Sequence, residues 1–153
     1  MKRFLLLLAS AAAIPAAAHA AAASGPFATP STLPFEAPPF DRITDADYQP
    51  GFDQGMAEQL AEIRKIADNP APPSFDNTLV AMERSGAMLR RVSAAFSAVN
   101  QADTNPVRQA VQKAEAPRLA AHNDAIYLDP ALFARVQTPV SYTHLTLPTN
   151  REV

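Results

Sequence analysis

The sequence predicts an all-α protein in which antiparallel helices follow an extended, proline-rich arm. Three observations predict this class. Apolar residues recur at three- and four-residue spacing in several segments after residue 44. Cap residues followed by proline punctuate those segments. Much of the 48% hydrophobic content is alanine, which favours helix and adds little core volume. The 153 residues allow one modest domain.

Composition excludes several classes of function. With 13 basic and 15 acidic residues, the chain has no basic nucleic-acid footprint over its whole length. The lack of cysteine excludes disulfides, thiolate metal ligands and a cysteine nucleophile. Four glycines are too few for a phosphate-cradling loop, and no glycine-rich pattern occurs.

Residues 1–20 are typical of a secretory signal peptide. A basic start precedes an apolar run from Phe4 to Ile14, and Ala18-His19-Ala20 offers small residues at a cleavage site. The alternative is an uncleaved anchor, but the run is shorter than the roughly 20 residues that span a bilayer. Removing Lys2 and Arg3 leaves 11 basic against 15 acidic residues, a net charge of −4. We therefore expect a periplasmic or secreted protein with no membrane association after cleavage.

Residues 21–43 are expected to form the extended arm. Five prolines between Pro26 and Pro39 disfavour helix. Apolar residues are interleaved with them, unlike in a disordered linker. These are Phe27, Leu33, Phe35, Phe40 and Ile43. The arm is predicted to lie against the helical body; the alternative is a flexible tether.

The first helix is predicted to begin at Thr44, which forms a capping box with Asp47. Pro50 suits the first turn of this helix better than its interior. Asn69-Pro70 ends the helix. Its apolar stripe comprises Phe52, Met56, Leu60, Ile63 and Ile66/Ala67.

The second helix has the clearest period. Asp76 is the predicted N-cap, with Ser74 as the alternative. No proline interrupts residues 77–101, so the helix is expected to be continuous. Gly86 lies on its apolar stripe, and its helix-propensity cost of about 1 kcal/mol suggests the close approach of a neighbouring helix.

Two further helices follow. Asn105-Pro106 and Asp129-Pro130 each supply a cap and a first helical residue. Val107, Ala110/Val111 and Ala114 are the expected inner face of the third helix, and Pro117 should make it kink or restart.

The helical lobe, predicted over residues 44–137, is expected to be partial. The helical period vanishes from Thr138, where Thr and Pro replace Ala, Arg and Gln. Residues 138–153 look like a non-native tail, and the alternative is a genuine short β-prone extension.

The candidate chemistry is sparse. His122 lacks a His-Glu-x-x-His partner, so a partly buried packing histidine is favoured over a metal ligand. Acidic residues at helix starts serve as caps rather than as a catalytic pair. These are Asp45, Asp47, Asp76 and Asp129. We accordingly predict no catalytic, cofactor-binding or metal-ligating residue in this chain.

Two further clusters point to structure rather than catalysis. Ser85, Ser93 and Ser97 have no base at usable spacing, which weakens a nucleophile interpretation. Arg84, Arg90 and Arg91 form the densest basic cluster, interpreted as a solvated face rather than a nucleic-acid surface.

Four segments in order resemble the N-terminal part of the thimet oligopeptidase family of zinc metallopeptidases, nearest its bacterial peptidyl-dipeptidase (Dcp) branch and oligopeptidase A. They are residues 33–43 (LPFEAPPFDRI), 47–52 (DYQPGF), 69–78 (NPAPPSFDNT) and 81–86 (AMERSG). Residues 122–126 and 132–136 extend the resemblance, which covers about residues 27–137.

The resemblance implies a large two-lobed helical enzyme around a deep channel that admits short peptides. In that family a His-Glu-x-x-His helix and a downstream Glu hold zinc, and a metal-bound water attacks the peptide bond. Those positions lie beyond residue 137, so none transfers to this sequence. The chain is expected to be an inactive N-terminal fragment that binds no zinc itself. The alternative is a complete small exported helical adaptor.

Overall fold

The computed structural model describes residues 25–143, with side chains for residues 25–140. The predicted signal peptide and the last part of the predicted tail lie outside this range. Five α-helices are present in it. They are α1 (Asp45–Ala67), α2 (Ala81–Arg84), α3 (Ala87–Ala102), α4 (Pro106–Tyr127) and α5 (Pro130–Thr143). Residues 25–143 contain no strand, which confirms the all-α class. None of these helices is long and apolar enough to cross a bilayer.

α1 and α3 run antiparallel and approach each other closely. A Cβ atom built on Gly55 would lie 2.8 Å from the Cα of Leu89, and one on Gly51 would lie 3.0 Å from Cγ2 of Val92. The residue number falls along α3 as it rises along α1, which defines the antiparallel direction. The glycines leave room for α3 where side chains would hold the helices apart.

α4 lies along α1 in the parallel direction. Asp45 near the start of α1 pairs with Arg108 near the start of α4, and Gln59 farther along α1 contacts His122 farther along α4. Consecutive long helices therefore alternate in direction, with α1 contacting both neighbours. This up-down-up order confirms the predicted antiparallel succession.

Two apolar clusters form the core. The larger joins α1 and α3 and is rich in aromatic rings: Phe96 packs in T-shaped contacts with Tyr48 and Phe52, at centroid distances of 5.1 and 5.5 Å. The smaller cluster joins α1, α4 and α5. Its buried members are Ile63, Ile66, Ile126 and Leu132.

The segment before α1 inserts one aromatic residue into the core. Phe27 is buried against Tyr48, and Arg91 donates hydrogen bonds to the carbonyls of Phe27 and Ala28 at 2.9 and 3.0 Å. Phe35 is fully exposed and sits at φ 59° within a short 3₁₀ turn, Pro34–Glu36. The apolar residues of this segment therefore divide between the core and the surface.

The predicted second helix is not continuous. A π-helical segment, Phe75–Val80, leads into α2, and the helix is then interrupted before α3 begins. Ser85 is extended and Gly86 is left-handed, with φ 70°. A Cβ on Gly86 would come within 2.5 Å of the Gln59 side chain, and its N–H donates to Glu62 at 2.7 Å. The expected close approach is present, but it occurs at a helix break that the apolar period concealed.

The caps are largely as predicted. Asp47 accepts hydrogen bonds from the backbone N–H and hydroxyl of Thr44, both at 2.7 Å. Asn105 accepts from the N–H of Arg108 at 2.8 Å, and Asp129 from that of Leu132 at 2.9 Å. Each carboxylate or amide thus satisfies a donor that the helix leaves free.

One predicted cap is wrong. Ser74, the alternative, is the N-cap of the π-helical segment, and its hydroxyl accepts from the N–H of Asn77 at 3.2 Å. The Asn77 side chain accepts from the N–H of Ser74 at 2.8 Å, which completes a reciprocal box. Asp76 instead occupies the first turn. The reciprocal Ser–Asn pair explains why the helical turn begins two residues earlier than expected.

The prolines interrupt the helices less than expected. Pro50 lies in the interior of α1, beyond its first turn, because the Thr44 cap starts the helix at Asp45. α4 continues through Pro117 without restarting. α5 continues through Pro139 to Thr143, so helix persists where the sequence period fades.

Candidate functional site

The most distinctive chemistry in the described part of the chain lies between α1 and α4. We name it the polar seam. From α1 it contains Asp45, Gln49, Asp53 and Gln59. From α4 and its N-cap it contains Asn105, Arg108, Glu115, Arg118 and His122. Across residues 25–143, no group of three or more His, Asp or Glu could hold a metal ion.

One end of the polar seam is an ion pair between helix starts. The Asp45 carboxylate accepts from Arg108 Nε and from the Asn105 side-chain amide, both at 2.6 Å. These contacts, that with Asn105 above all, hold the pKa of Asp45 below its usual value. Arg108 also donates to the Asp103 carbonyl. Asp45 is therefore a structural carboxylate whose partners favour its ionised form.

The middle of the polar seam contains a buried carboxylate. Glu115 is 2% exposed, and its Oε1 accepts from the Gln49 amide and from Arg118 Nη1, the latter at 2.6 Å. Arg118 also pairs with Asp53 at 2.5 Å. Hydrogen bonding to Asp53, and secondly to Glu115, raises the pKa of Arg118 above its usual value. Glu115 Oε2 has no partner among the described residues.

The far end of the polar seam is a buried histidine. His122 is 5% exposed, and its Nε2 lies 2.8 Å from Oε1 of Gln59. An Nε2–H donor to this oxygen leaves Nδ1 unprotonated, and Nδ1 has no partner within the described residues. Burial lowers the pKa of His122. The sequence prediction of a packing histidine agrees with this burial.

The other candidate residues occupy scattered positions. Ser85 is buried and donates its hydroxyl to the carbonyl of Met82 at 2.7 Å, while Ser93 and Ser97 lie on α3. Arg90 donates to the carbonyl of Ser85, and Arg91 fastens the segment around Phe27. Ser85, Arg90 and Arg91 therefore make structural contacts with backbone carbonyls.

The polar inner face of α4 was missed by sequence reasoning. Val111 is buried as predicted, but Val107 is 54% exposed and Ala110 and Ala114 are exposed too, so the predicted inner face is wrong at these three positions. The buried face carries Val111, Glu115, His122 and Ile126. Their spacing of four, seven and four residues is helical, and a charged residue at one of these positions hid the pattern.

Arg135 is a second unexpected buried residue. It is 7% exposed, and its Nη1 donates to the carbonyls of Asn69 and Ala71 at 2.5 and 3.1 Å. Its Nη2 donates to Oδ1 of Asn77 at 3.1 Å. Arg135 thereby ties α5 to the connection after α1, a role that only the long-range fold creates.

Two concave features adjoin these groups. A groove of about 410 Å³ lies between the segment before α1 and α3, and is lined partly by Arg90, Arg91 and Pro30. A smaller cavity of about 200 Å³ lies between α3 and α4, beside Glu115.

Comparison with known proteins shows what the chain is similar to. It is 45% identical over 121 residues to a dipeptidyl carboxypeptidase of Salmonella typhimurium, covering 79% of this chain and 18% of that protein. It is 46% identical over 111 residues to a dipeptidyl carboxypeptidase of Escherichia coli, covering 72% of this chain and 16% of that protein. No family model matches the chain.

These identities confirm the predicted resemblance to the peptidyl-dipeptidases. The chain is related to part of a dipeptidyl carboxypeptidase, and it spans less than a fifth of the length of the curated relatives it matches.

Proposed function

We propose that this chain is part of an exported zinc metallopeptidase that hydrolyses short peptides, in the manner of a peptidyl-dipeptidase or an oligopeptidase. The observation that carries the proposal is the identity of 45% and 46% with two dipeptidyl carboxypeptidases over most of this chain. In such enzymes the zinc polarises the carbonyl of the peptide bond and activates a water molecule.

The residues of this chain do not fit a zinc site. The three histidines stand far apart in the sequence, and no His-Glu-x-x-His occurs. His122 directs Nε2 to Gln59, and the residues described hold no second histidine that could join it. We therefore propose that the zinc ligands and the general base of the whole protein lie outside residues 21–137, and that this chain alone is inactive.

The proposed contribution of this chain is one wall of the substrate channel. Its helices associate through Gly55 and the aromatic cluster, and the polar seam fixes α4 on α1. Large apolar side chains nevertheless remain exposed at the α4–α5 turn, with Tyr127 and Leu128 at 71% and 75%. Such surface suits packing against further parts of the whole protein.

Export is the proposed localisation, to the periplasm or beyond the cell. Its support is the basic start, the apolar run and the small residues of the first twenty positions. A fusion of residues 1–24 to a reporter that is active only after export tests this point. Substituting Leu6 and Leu7 by Arg should abolish export, because the apolar run would be broken.

The activity is tested with the whole protein encoded by the gene. We expect it to release dipeptides from the C-terminus of blocked tetra- and hexapeptides, to lose activity with a chelator and to regain it with added Zn²⁺. Cleavage at internal bonds instead would indicate the oligopeptidase type. Failure to cleave, or cleavage indifferent to chelation, would contradict the proposal and favour the adaptor. The 153-residue chain, assayed in parallel, should release no product.

A further inference from the structure

The groove between α3 and the segment before α1 is built on one face of α3. Ala87, Arg90, Arg91 and Ala94 line it, at the helical spacing that places side chains on the same side of a helix. The two alanines have short side chains, so they leave open space beside the two arginines. At about 410 Å³ the groove lies within the range of roughly 300–1,000 Å³ that is typical of small-molecule sites.

The other wall of the groove comes from the proline-rich segment before α1. It is formed mainly by Pro26, Phe27, Pro30, Pro38 and Pro39. Proline has no backbone N–H, so this wall offers ring carbons and carbonyl oxygens but few hydrogen-bond donors. The apolar rings suit the hydrocarbon body of a ligand, and the strong donors for a polar end must come from α3.

The two guanidinium groups on α3 are held in place and still have free donors. Arg91 donates to the carbonyls of Phe27 and Ala28 through Nε and Nη2, and Arg90 donates to two carbonyls at the end of α2 through Nη1 and Nη2. A guanidinium has five N–H donors, so each retains donors beyond these two bonds. Side chains that are oriented beforehand lose less freedom when a ligand binds.

The charges that line the groove favour an anion of low charge. In the described part of the chain the arginine ion pairs are those of Arg108 and Arg118, so neither Arg90 nor Arg91 is paired with a carboxylate there. Arg90 is exposed and Arg91 is half-buried, so both can exchange water for a carboxylate, which matches the planar fork of a guanidinium. Glu36 also lines the groove, and its negative charge disfavours a ligand of higher charge such as phosphate.

We infer that this groove binds a small carboxylate with a compact apolar body, whose oxygens accept hydrogen bonds from Arg90 and Arg91 while the body contacts Phe27 and the prolines. Two sources share this chemistry: a free carboxylic acid and the C-terminal residue of a peptide. The inference goes beyond the proposed peptidase function and does not depend on it, since no zinc chemistry is involved.

The experiment titrates the full chain with hydrocinnamate and follows the NMR shifts of backbone and arginine Nε–H groups. We expect saturable shifts at Ala87, Ala94 and the two arginines in the millimolar range. Hydrocinnamamide has nearly the same shape without the charge and should bind at least fivefold more weakly. Phenyl phosphate should bind no more tightly than hydrocinnamate, because Glu36 opposes its second charge. N-Acetylphenylalanine represents the peptide source: its binding would assign the site to peptide C-termini, and its exclusion would assign it to free acids.

Three variants test the charges. Arg90→Gln removes one guanidinium at an exposed position and should weaken hydrocinnamate binding at least fivefold. Glu36→Gln removes the like charge from the groove and should strengthen binding about twofold. Arg64→Gln is the control, because it removes an equal charge from an exposed position on α1 that does not line the groove, and it should leave binding unchanged.

A pair of variants tests the space. Ala94→Leu fills the groove while leaving both guanidinium groups in place, and it should abolish binding. Ala98→Leu makes the same change one turn farther along α3, at an exposed position outside the groove, and should leave binding unchanged. Both positions are exposed, so neither change should disturb the core.

Several results would overturn the inference. They are absence of saturable binding to the unaltered chain, equal binding of hydrocinnamate and hydrocinnamamide, tighter binding of phenyl phosphate, and undiminished binding by a folded Arg90→Gln variant. Should that variant fail to fold, the hydrocinnamamide comparison and the contrast between Ala94→Leu and Ala98→Leu decide the question, because neither removes a guanidinium.

Discussion

The two long contacts of α1 are built on different principles. Toward α3, α1 presents glycines and aromatic rings, and it meets residues such as Val92 and Ala95 that are fully buried. Toward α4, it presents the polar seam, in which carboxylates, amides and guanidinium groups pair with one another. A single helix thus meets α3 mainly through apolar groups, and meets α4 through directional polar bonds with an apolar cluster around Ile63 and Ile126 at the far end.

The two contacts should have different roles: one supplies stability, and the other sets the position of α4 along α1. Apolar contact is non-directional and roughly proportional to buried area, so the α1–α3 contact should supply most of the stability. Hydrogen bonds need defined distances and angles. A shift of α4 by one turn would part Glu115 from Gln49 and Arg118 and leave a buried charge unpaired, which is strongly unfavourable. The polar seam should therefore fix how α4 lies on α1.

The largest expected effect comes from removing an aromatic ring from the apolar contact. Phe96→Ala deletes the ring that meets Tyr48 and Phe52 in the core. We expect a loss of about 3–5 kcal/mol in the free energy of unfolding, from lost burial and the cavity left behind. Urea unfolding of the full chain, followed by circular dichroism at 222 nm, measures it.

The matched control is Phe133→Ala, since Phe133 is 57% exposed on α5. Its effect should stay within about 0.5 kcal/mol, as is usual for surface changes. Equal losses in both variants would contradict the assignment of stability to the α1–α3 contact.

The next effect is a contrast between two glycines of α1. Gly55→Ala places a methyl group against the backbone of Leu89, whose Cα and N would lie 2.8 and 2.9 Å away. Backbone cannot yield easily, so we expect a loss of about 1–3 kcal/mol despite the better helix propensity of Ala.

Gly51→Ala is the control for this contrast. Its methyl group would meet two side chains, at 2.9 Å from Cδ2 of Phe27 and 3.0 Å from Cγ2 of Val92. Because a packed side chain can shift by a few tenths of an ångström more easily than backbone, the loss should be smaller than for Gly55→Ala. The same urea titration compares the two, and a reversed order would show that the α1–α3 distance is not set at Gly55.

These glycines also show how far the sequence predicts the fold. The helices and most caps follow from local signals such as Thr44–Asp47 and Asn105-Pro106, because each satisfies backbone groups within a few residues. The break at Gly86 does not follow, since its stripe position fits a continuous helix. The structure adds that the Gln59 side chain of α1 occupies the space that a Cβ at residue 86 would need, which explains why this position is glycine.

The polar seam was still less predictable. Burial of His122 could be inferred from its place on a helical face, but Glu115 and Arg135 are charged residues that ordinarily face solvent. Their burial depends on partners 58 to 66 residues away in the chain. A single sequence carries no local signal for such pairs, whereas the family resemblance could be recognised from ordered segments alone.

The smallest expected effect is a pH dependence of the stability that arises from His122 in the polar seam. Burial lowers the pKa of His122 in the folded chain, whereas in the unfolded chain it takes up a proton near its ordinary pKa of 6.5. Below that pH the unfolded state binds more protons, so stability should fall as the pH drops from 6.5 to 5 and stay level above it. Asp45, whose folded pKa is lowered from 3.8, contributes only at more acid pH.

Urea midpoints at pH 7.5, 6 and 5 measure the slope of stability against pH, and His122→Asn should reduce that slope. An identical slope in that variant would show that another group titrates and that the His122–Gln59 contact carries no proton linkage.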